Sequence, residues 1–236
     1  MKISVALPVY NEQKTLEKNT KKLLDFLKRR YKNFEIVIAD NASTDKTTVI
    51  GKKLARTNKK IKYFRLNKKG RGRALKAVWK ARKAGIVAYM DIDLSTNLRH
   101  FPELIKAIEN GSDIAIGSRL SKNSIVKNRK FLREVFSRGY NTLIKLMFFT
   151  SFTDAQCGFK AARKDAIKKV IPKIKNNNWF FDSEMLIIGE KMGYKIRSVP
   201  VKWTDDPGTT VNVLKTSWED LKGLIRLRFT RPWRKK

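Results

Sequence analysis

Apolar positions along the chain follow two rhythms. Short runs rich in β-branched residues occupy residues 3–7, 34–39, 61–66 and 86–90, the length and composition of strands buried on both faces. Between them, Leu16, Leu23, Leu24 and Leu27 recur at helical spacing within residues 15–30, as do Leu75, Val78 and Trp79 within residues 73–84. The alternation predicts a parallel sheet covered by helices. Pro102 suits the first turn of a helix carrying Leu104, Ile105 and Ile108, and residues 113–117 read as a fifth strand. Beyond about residue 120 the rhythm loosens. Residues 121–130 are polar and flexible in character, and residues 131–149 predict a long amphipathic helix with an apolar stripe of Leu132, Val135, Phe136, Leu143, Leu146 and Met147. A strand is expected at 158–162, a helix at 181–192 and a last strand at 196–203.

Charge changes this picture. The 236 residues hold 54 Lys and Arg against 21 Asp and Glu, a formal charge of +33. With 42% apolar residues the chain still buries a core, so it is not a disordered polycation. No apolar run approaches the ~18 residues of a membrane span, and the opening residues lack a signal-peptide pattern. The expected location is therefore cytoplasmic. One cysteine, Cys157, and one histidine, His100, leave no zinc cluster and no histidine-based triad. The charge calls for an anionic partner: nucleic acid, a membrane surface or a phosphorylated substrate. No helix-turn-helix, RNP or zinc-finger pattern accompanies it, so nucleic acid is not the expected partner. Near the C-terminus, Leu221, Leu224, Ile225, Leu227 and Phe229 are interleaved with Lys222, Arg226, Arg228, Arg231 and Arg234. Such a segment suits an anionic bilayer, with Trp233 at the headgroup level.

Polar, unusual loops follow each of the first four strands: residues 8–12, 40–45, 67–72 and 91–93. In an open α/β sheet the carboxyl ends of the strands line one crevice, so the four loops point to one ligand site. Asp91 and Asp93 would repel each other unless a cation sat between them, and Mg²⁺ or Mn²⁺ is held by a few carboxylates together with substrate phosphates. Asp40 ends a buried-type strand, where it either accepts hydrogen bonds from a nucleobase or caps the next helix. Lys68, Lys69 and Arg71, with Gly70 and Gly72, form a basic loop suited to phosphates, though without a P-loop pattern. On the helix at 131–149, Arg133, Ser137 and Asn141 recur every four residues and share a face that can grip a phosphate or simply meet solvent.

The segments Pro8-Val9-Tyr10-Asn11-Glu12, Ala39-Asp40-Asn41-Ala42-Ser43-Thr44-Asp45 and Asp91-Ile92-Asp93 together resemble the family 2 glycosyltransferases of GT-A fold. The second half is similar to their polyprenyl-phosphate branch, through Ser118-Arg119-Leu120, the run from Arg133 to Asn141, Asp154-Ala155-Gln156-Cys157-Gly158-Phe159-Lys160 and Phe181-Asp182-Ser183-Glu184. The resemblance implies an α/β nucleotide-diphospho-sugar transferase fold with a mostly parallel sheet and a C-terminal amphipathic helical segment. It divides the chain into a catalytic domain, 1–220, with a nucleotide-sugar half (1–120) and an acceptor half (121–220), followed by a basic membrane-associating tail (221–236).

It further implies an inverting hexosyltransferase that moves sugar from a nucleotide-sugar donor, UDP-glucose favoured, to a dolichyl or polyprenyl phosphate at the cytoplasmic face of a membrane. Pro8, Tyr10, Glu12, Ile38 and Asp40 would hold base and ribose, with Arg71 on the donor side. Asp91, Ile92 and Asp93 would hold the diphosphate, Asp91 and Asp93 through Mg²⁺ or Mn²⁺. Arg119, Arg133 and Ser137 would hold the acceptor phosphate, and Asp154 would organise the arginines or, like Glu184, serve as a base. The family's basic residues after the last strand are absent from residues 204–210, leaving Lys202 or Lys215 as substitutes. A GDP-mannose donor, or a hydroxyl acceptor activated by Asp182 or Glu184, is the alternative.

Overall fold

The computed structural model describes residues 1–205 and 213–234, with side chains of the last helix from Thr216 onward. Strand β1 (Ile3–Val9) is followed by helix α1 (Leu16–Lys28), β2 (Phe34–Asp40), α2 (Thr47–Thr57), β3 (Ile61–Arg65), α3 (Arg71–Ala81) and β4 (Ile86–Met90). Then come α4 (Phe101–Glu109), β5 (Ile114–Ser118), β6 (Ile125–Lys127), α5 (Phe131–Phe148), β7 (Phe159–Arg163), α6 (Lys164–Val170), α7 (Phe181–Lys191), β8 (Ile196–Pro200), β9 (Lys202–Thr204) and α8 (Val213–Thr230). Seven strands form one sheet in the order β3-β2-β1-β4-β7-β5-β8. Strands β1 to β4 are mutually parallel, as is β5 with β8, whereas β7 runs antiparallel between β4 and β5.

Two apolar layers sandwich the sheet. Leu16, Leu23 and Leu27 of α1 and Leu104, Ile105 and Ile108 of α4 cover one face. Leu75, Val78 and Trp79 of α3, Phe181 and Leu186 of α7, and Leu224 and Leu227 of α8 cover the other. Every residue of β2 and β4 is buried, as their near-continuous apolar sequence requires.

The second half departs from its sequence in three instructive ways. The polar stretch 121–130 contains β6, whose three residues pair in parallel with β9, Val126 opposite Trp203. A strand so short leaves no periodic signal. The expected strand 196–203 is divided at Val201, whose carbonyl accepts from Ile125 N at 3.0 Å, so that chain leaves the main sheet and joins β6.

Third, α5 lies with its polar side inward. Ser137 and Asn141 are buried along with Ile144 and Phe148, while Leu132, Val135, Phe136 and Leu146 of the expected stripe are exposed by 49–69%. The inward polar face has a partner: Asn141 Oδ1 accepts from Ala155 N and Asn141 Nδ2 donates to Ser137 O, both at 2.8 Å.

Helix α8 runs on past residue 221, where the tail was expected to begin. Leu224 and Leu227 are fully buried, and a Cβ on Gly223 would come within 2.4 Å of the Phe180 ring, so the helix backbone lies directly on that side chain. Trp233, expected among headgroups, packs edge-on against Phe148 at 6.2 Å. Residues 206–210 of the non-basic loop, the Lys215 side chain, and Lys235 and Lys236 lie outside the described residues.

Candidate active site

The carboxyl ends of β1, β2, β3 and β4 meet at one edge of the sheet, as their parallel register dictates. Side chains stitch the loops there to one another. Asn11, in the left-handed region at φ +56°, donates its backbone N–H to Ser43 Oγ at 3.1 Å and accepts from Thr44 N at 2.9 Å. Glu12 N donates to Thr47 Oγ1 at 2.8 Å, and Glu12 Oε2 accepts from Thr15 Oγ1 at 2.7 Å. Asn41 Oδ1 accepts from Gly70 N at 2.6 Å, joining the second loop to the third. Lys69 Nζ lies 3.7 Å from the centroid of the half-buried Tyr10 ring, beside half-buried Pro8.

Asp40 is fully buried at the end of β2. Its carboxylate accepts from Ser43 N at 2.8 Å, Thr48 Oγ1 at 2.9 Å, Arg65 at 3.0 Å and the Tyr63 hydroxyl. Burial pushes its pKa upward, but the Tyr63, Ser43 and Thr48 hydrogen bonds outweigh burial and hold it below the usual carboxylate value. Of the two roles expected for it, the geometry displays the capping one: it organises the start of α2 at the floor of the crevice. Ile38 and Ile92, expected in the donor set, can meet a donor only through their backbone. Both side chains lie in the apolar core, and the Ile92 carbonyl accepts from Asn19 Nδ2 at 2.8 Å.

Arg71 is the first residue of α3 rather than part of a flexible loop, and its side chain is only 9% exposed. Its guanidinium spans two carboxylates, Asp91 at 2.7 Å and Asp182 at 2.5 Å. Asp182 also accepts from Lys160 Nζ at 2.9 Å and from the Tyr89 hydroxyl. Lys160 and Asp182 are buried in an apolar setting, where unpaired charges would be strongly disfavoured. Two cations against two carboxylates resolve that cost and fix the orientation of Asp91. For Asp182, burial raises the pKa, and Lys160 and Arg71 together more than reverse it.

Asp91 and Asp93 follow β4, and Asp93 Oδ1 accepts from Ser95 N at 2.9 Å. Asp91 lies over Gly158: a Cβ there would sit 1.7 Å from Asp91 Oδ2. No cluster of three or more His, Cys, Asp or Glu side chains exists among the described residues. The missing side chain at Gly158 makes room for the Asp91 carboxylate at the end of β4, two residues before Asp93, and such carboxylates suit a cation that takes its remaining oxygens from a diphosphate and water.

Arg119, at the end of β5, is held by Asp154 through Nε at 2.8 Å, Nη2 at 2.9 Å and the backbone N–H at 2.9 Å. Asp154 is fully buried; the burial penalty is outweighed by Arg119, which lowers its pKa to about 2. That makes Asp154 an organiser and a very weak base. Glu184 is likewise buried, accepting from Lys175 N, Asn176 N and Arg226 at 2.8–3.1 Å. It anchors the 175–176 loop and α8, with no exposed oxygen to act as a base. Arg133 is paired with Asp205 at 2.7 Å, and the Ser137 hydroxyl is buried without a partner.

The profile of glycosyl transferase family 2 matches residues 4–171. The chain belongs to that family. Among its relatives, the glycosyltransferase AglD of Haloferax volcanii is 32% identical over 219 residues, 91% of this chain but 35% of that protein. The dolichyl-phosphate beta-glucosyltransferases of Saccharomyces cerevisiae and Dictyostelium discoideum are 29% and 28% identical, each over 96% of this chain and 74% of the relative. The fold is similar to glucosyl-3-phosphoglycerate synthase of Mycobacterium tuberculosis, solved with Mn²⁺ and UDP-glucose, at a TM-score of 0.70 and 16% identity over 96% of this chain and 78% of that one.

Sequence reasoning did not single out Lys160 or Tyr89, and weighed Asp182 only as a base. The signal for Lys160 and Asp182 is a charged residue inside an otherwise apolar strand or helix, which has no place there unless paired; the neutral Tyr89 gives no such signal.

Proposed function

We propose that this family 2 glycosyltransferase moves glucose from UDP-glucose to the phosphate of a dolichyl or other polyprenyl phosphate. The observation that carries the reading is the outward apolar face of α5, set beside the cavity lined by Arg119 and Phe131. An amphiphilic phosphate needs that combination: cations for its head and an apolar path for its chain. The names of the yeast and Dictyostelium relatives support the same acceptor and sugar, and the ligands of the mycobacterial synthase support a UDP-sugar with a divalent metal.

The loops after β1 to β4 would enclose the nucleotide, with Pro8, Tyr10 and Glu12 on one side and the Asp40 cluster beneath. Asp91 and Asp93 would hold Mg²⁺ or Mn²⁺, which when bound offsets the charge of the leaving diphosphate. Arg119, kept charged and rigid by Asp154, orients the acceptor phosphate for in-line attack on the sugar C1. The phosphate oxygen forms the new bond to C1 as the C1–O bond to the diphosphate breaks. The nucleoside diphosphate leaves with the electron pair, and the configuration inverts. A phosphomonoester is largely a dianion at neutral pH, so it attacks without a base. A hydroxyl acceptor would need one, and Asp182 and Glu184 are both tied to cations.

No described helix is long and apolar enough to cross a membrane. The exposed Leu132, Phe136 and Leu146 of α5, together with Ile225 and Phe229 of α8, support peripheral attachment, and the basic residues of α8 support an anionic surface on the cytoplasmic face.

The deciding experiment offers UDP-glucose, UDP-N-acetylglucosamine and GDP-mannose, with Mn²⁺ or Mg²⁺ and a short polyprenyl phosphate. Lipid-linked glucose from UDP-glucose, lost in Asp93→Ala, is the expected result. Nucleotide binding without lipid product would overturn the acceptor, and mannose transfer would overturn the donor.

A further inference from the structure

The acceptor phosphate was expected on Arg119, Arg133 and Ser137. Neither Arg133 nor Ser137 lines the cavity of about 560 Å³ beside Arg119. A different arginine does. Arg129 precedes α5, its side chain is only 8% exposed, and its Nε is buried with no hydrogen-bond partner. One of its other nitrogens donates to Glu134 Oε2 at 2.6 Å and the other to Arg133 O at 3.3 Å.

Trp203 of β9 brings the two arginines together. Its ring centroid lies 5.5 Å from the Arg119 guanidinium carbon and 5.8 Å from that of Arg129. The β6–β9 pairing holds the indole in register opposite Val126, another residue of the cavity wall. Burial, and then the neighbouring Arg119 charge, depress the Arg129 pKa against the opposing pull of Glu134 and Asp154.

Charge count and shape agree with that. Arg119, Lys122, Arg129 and Arg138 line the cavity against one carboxylate, Glu134. Asp154 behind Arg119 neutralises one more, so two positive charges remain. A phosphomonoester dianion carries close to the opposite charge. Phe131, 78% exposed at the cavity wall, leads from the cations to the exposed Leu132 and Phe136.

We infer that Arg129 and Arg119, braced on Trp203, form the two-guanidinium seat for the phosphate of the lipid acceptor, and that the isoprenoid chain leaves past Phe131 along the outer face of α5. The inference rests on the polyprenyl-phosphate reading above. Arg129 serves as an acceptor-binding residue, with Trp203 as its positioning residue and Glu134 limiting how tightly the seat binds.

The test compares wild type, Arg129→Gln and Arg129→Lys in transfer from UDP-glucose to citronellyl phosphate with Mn²⁺, alongside UDP affinity by calorimetry. Arg129→Gln is expected to raise the acceptor KM by about tenfold or more, equivalent to about 1.4 kcal/mol, with UDP affinity within about twofold of wild type. Arg129→Lys should recover part of the loss, since lysine keeps the charge but not the planar fork. An unchanged acceptor KM in Arg129→Gln, with the wild type making lipid-linked glucose, overturns the seat and leaves the proposed reaction standing. A wild type that binds UDP but glucosylates no polyprenyl phosphate overturns the reaction and the seat with it. Should Arg129→Gln fail to fold, Arg129→Lys decides: a KM raised by about threefold supports the seat and an unchanged one overturns it.

Discussion

Gly158 and Asp91 share one space: the Asp91 carboxylate occupies the position that a side chain at residue 158 would take, 1.7 Å from an ideal Cβ. The backbone joins them as well, Asp91 N donating to Gly158 O at 3.1 Å. Gly158→Ala is therefore expected to displace the carboxylate while leaving the sheet intact. Mn²⁺-dependent UDP binding, followed by calorimetry, should weaken by at least about tenfold, or about 1.4 kcal/mol, whereas metal-free UDP binding should change little.

The Arg119–Asp154 pair supports a prediction about stability. Asp154→Asn leaves a buried guanidinium without its counter-charge, a loss on the order of 3–5 kcal/mol. The pH dependence has a definite sign. The folded-state pKa, about 2, lies below the ordinary carboxylate value of 3.8, so the contribution is complete above about pH 4 and is lost as pH falls through the folded value. Urea unfolding between pH 2 and 6 should show a wild-type advantage over Asp154→Asn that shrinks steadily toward pH 2.

The first half of the fold was legible because its strands and helices obey separate periods. Residues 86–90 match β4 end to end, and β1, β2 and β3 differ from expectation by one or two residues. The loops of the candidate site were legible because polar runs such as Asp91-Ile92-Asp93 follow apolar strands. The second half was obscured by long-range pairing. Ser137 and Asn141 look like an outward polar face until Ala155 N, 14 residues from Asn141, turns out to need Asn141 Oδ1. Arg129 carries no local signal, since its neighbours in space are Arg119 and Trp203. Leu224 and Leu227 looked like a membrane-facing stripe because the residues that share their apolar cluster, from α5, Phe180 and α7 among others, lie far away in sequence.

Asp220 on α8 should make stability depend on pH in the opposite direction. It is buried, accepts from Gln156 Nε2 at 2.8 Å through one oxygen, and has no partner for the other. Burial raises its pKa to about 7. A raised folded-state value means that the stability it contributes is full below the unfolded pKa near 4 and is lost as pH rises through about 7. Asp220→Asn keeps the shape and an acceptor for Gln156 without the charge. It is expected to exceed wild type by about 2–4 kcal/mol at pH 8.5 and to lose that advantage by pH 4, as read from denaturation midpoints at the two pH values.

Membrane attachment can be separated from folding because α5 turns its apolar side chains outward. Removing the C-terminal residues from 224 onward would be a poor test, since it would take Leu224 and Leu227 out of the core. Leu132, Phe136 and Leu146 are 66%, 51% and 69% exposed, so Leu132→Ser, Phe136→Ser and Leu146→Ser together should leave the melting temperature within a few degrees of wild type. Each apolar side chain contributes on the order of 1 kcal/mol when half of it enters the bilayer. The triple variant should therefore partition onto phosphatidylserine-containing vesicles at least about tenfold more weakly. Its turnover of a long polyprenyl phosphate in vesicles should fall, while UDP affinity, in which none of the three residues takes part, should be retained. Wild-type binding should also weaken as salt rises, because the basic face of α8 acts through screened charge. Equal vesicle binding by wild type and the triple variant would remove α5 as the docking face.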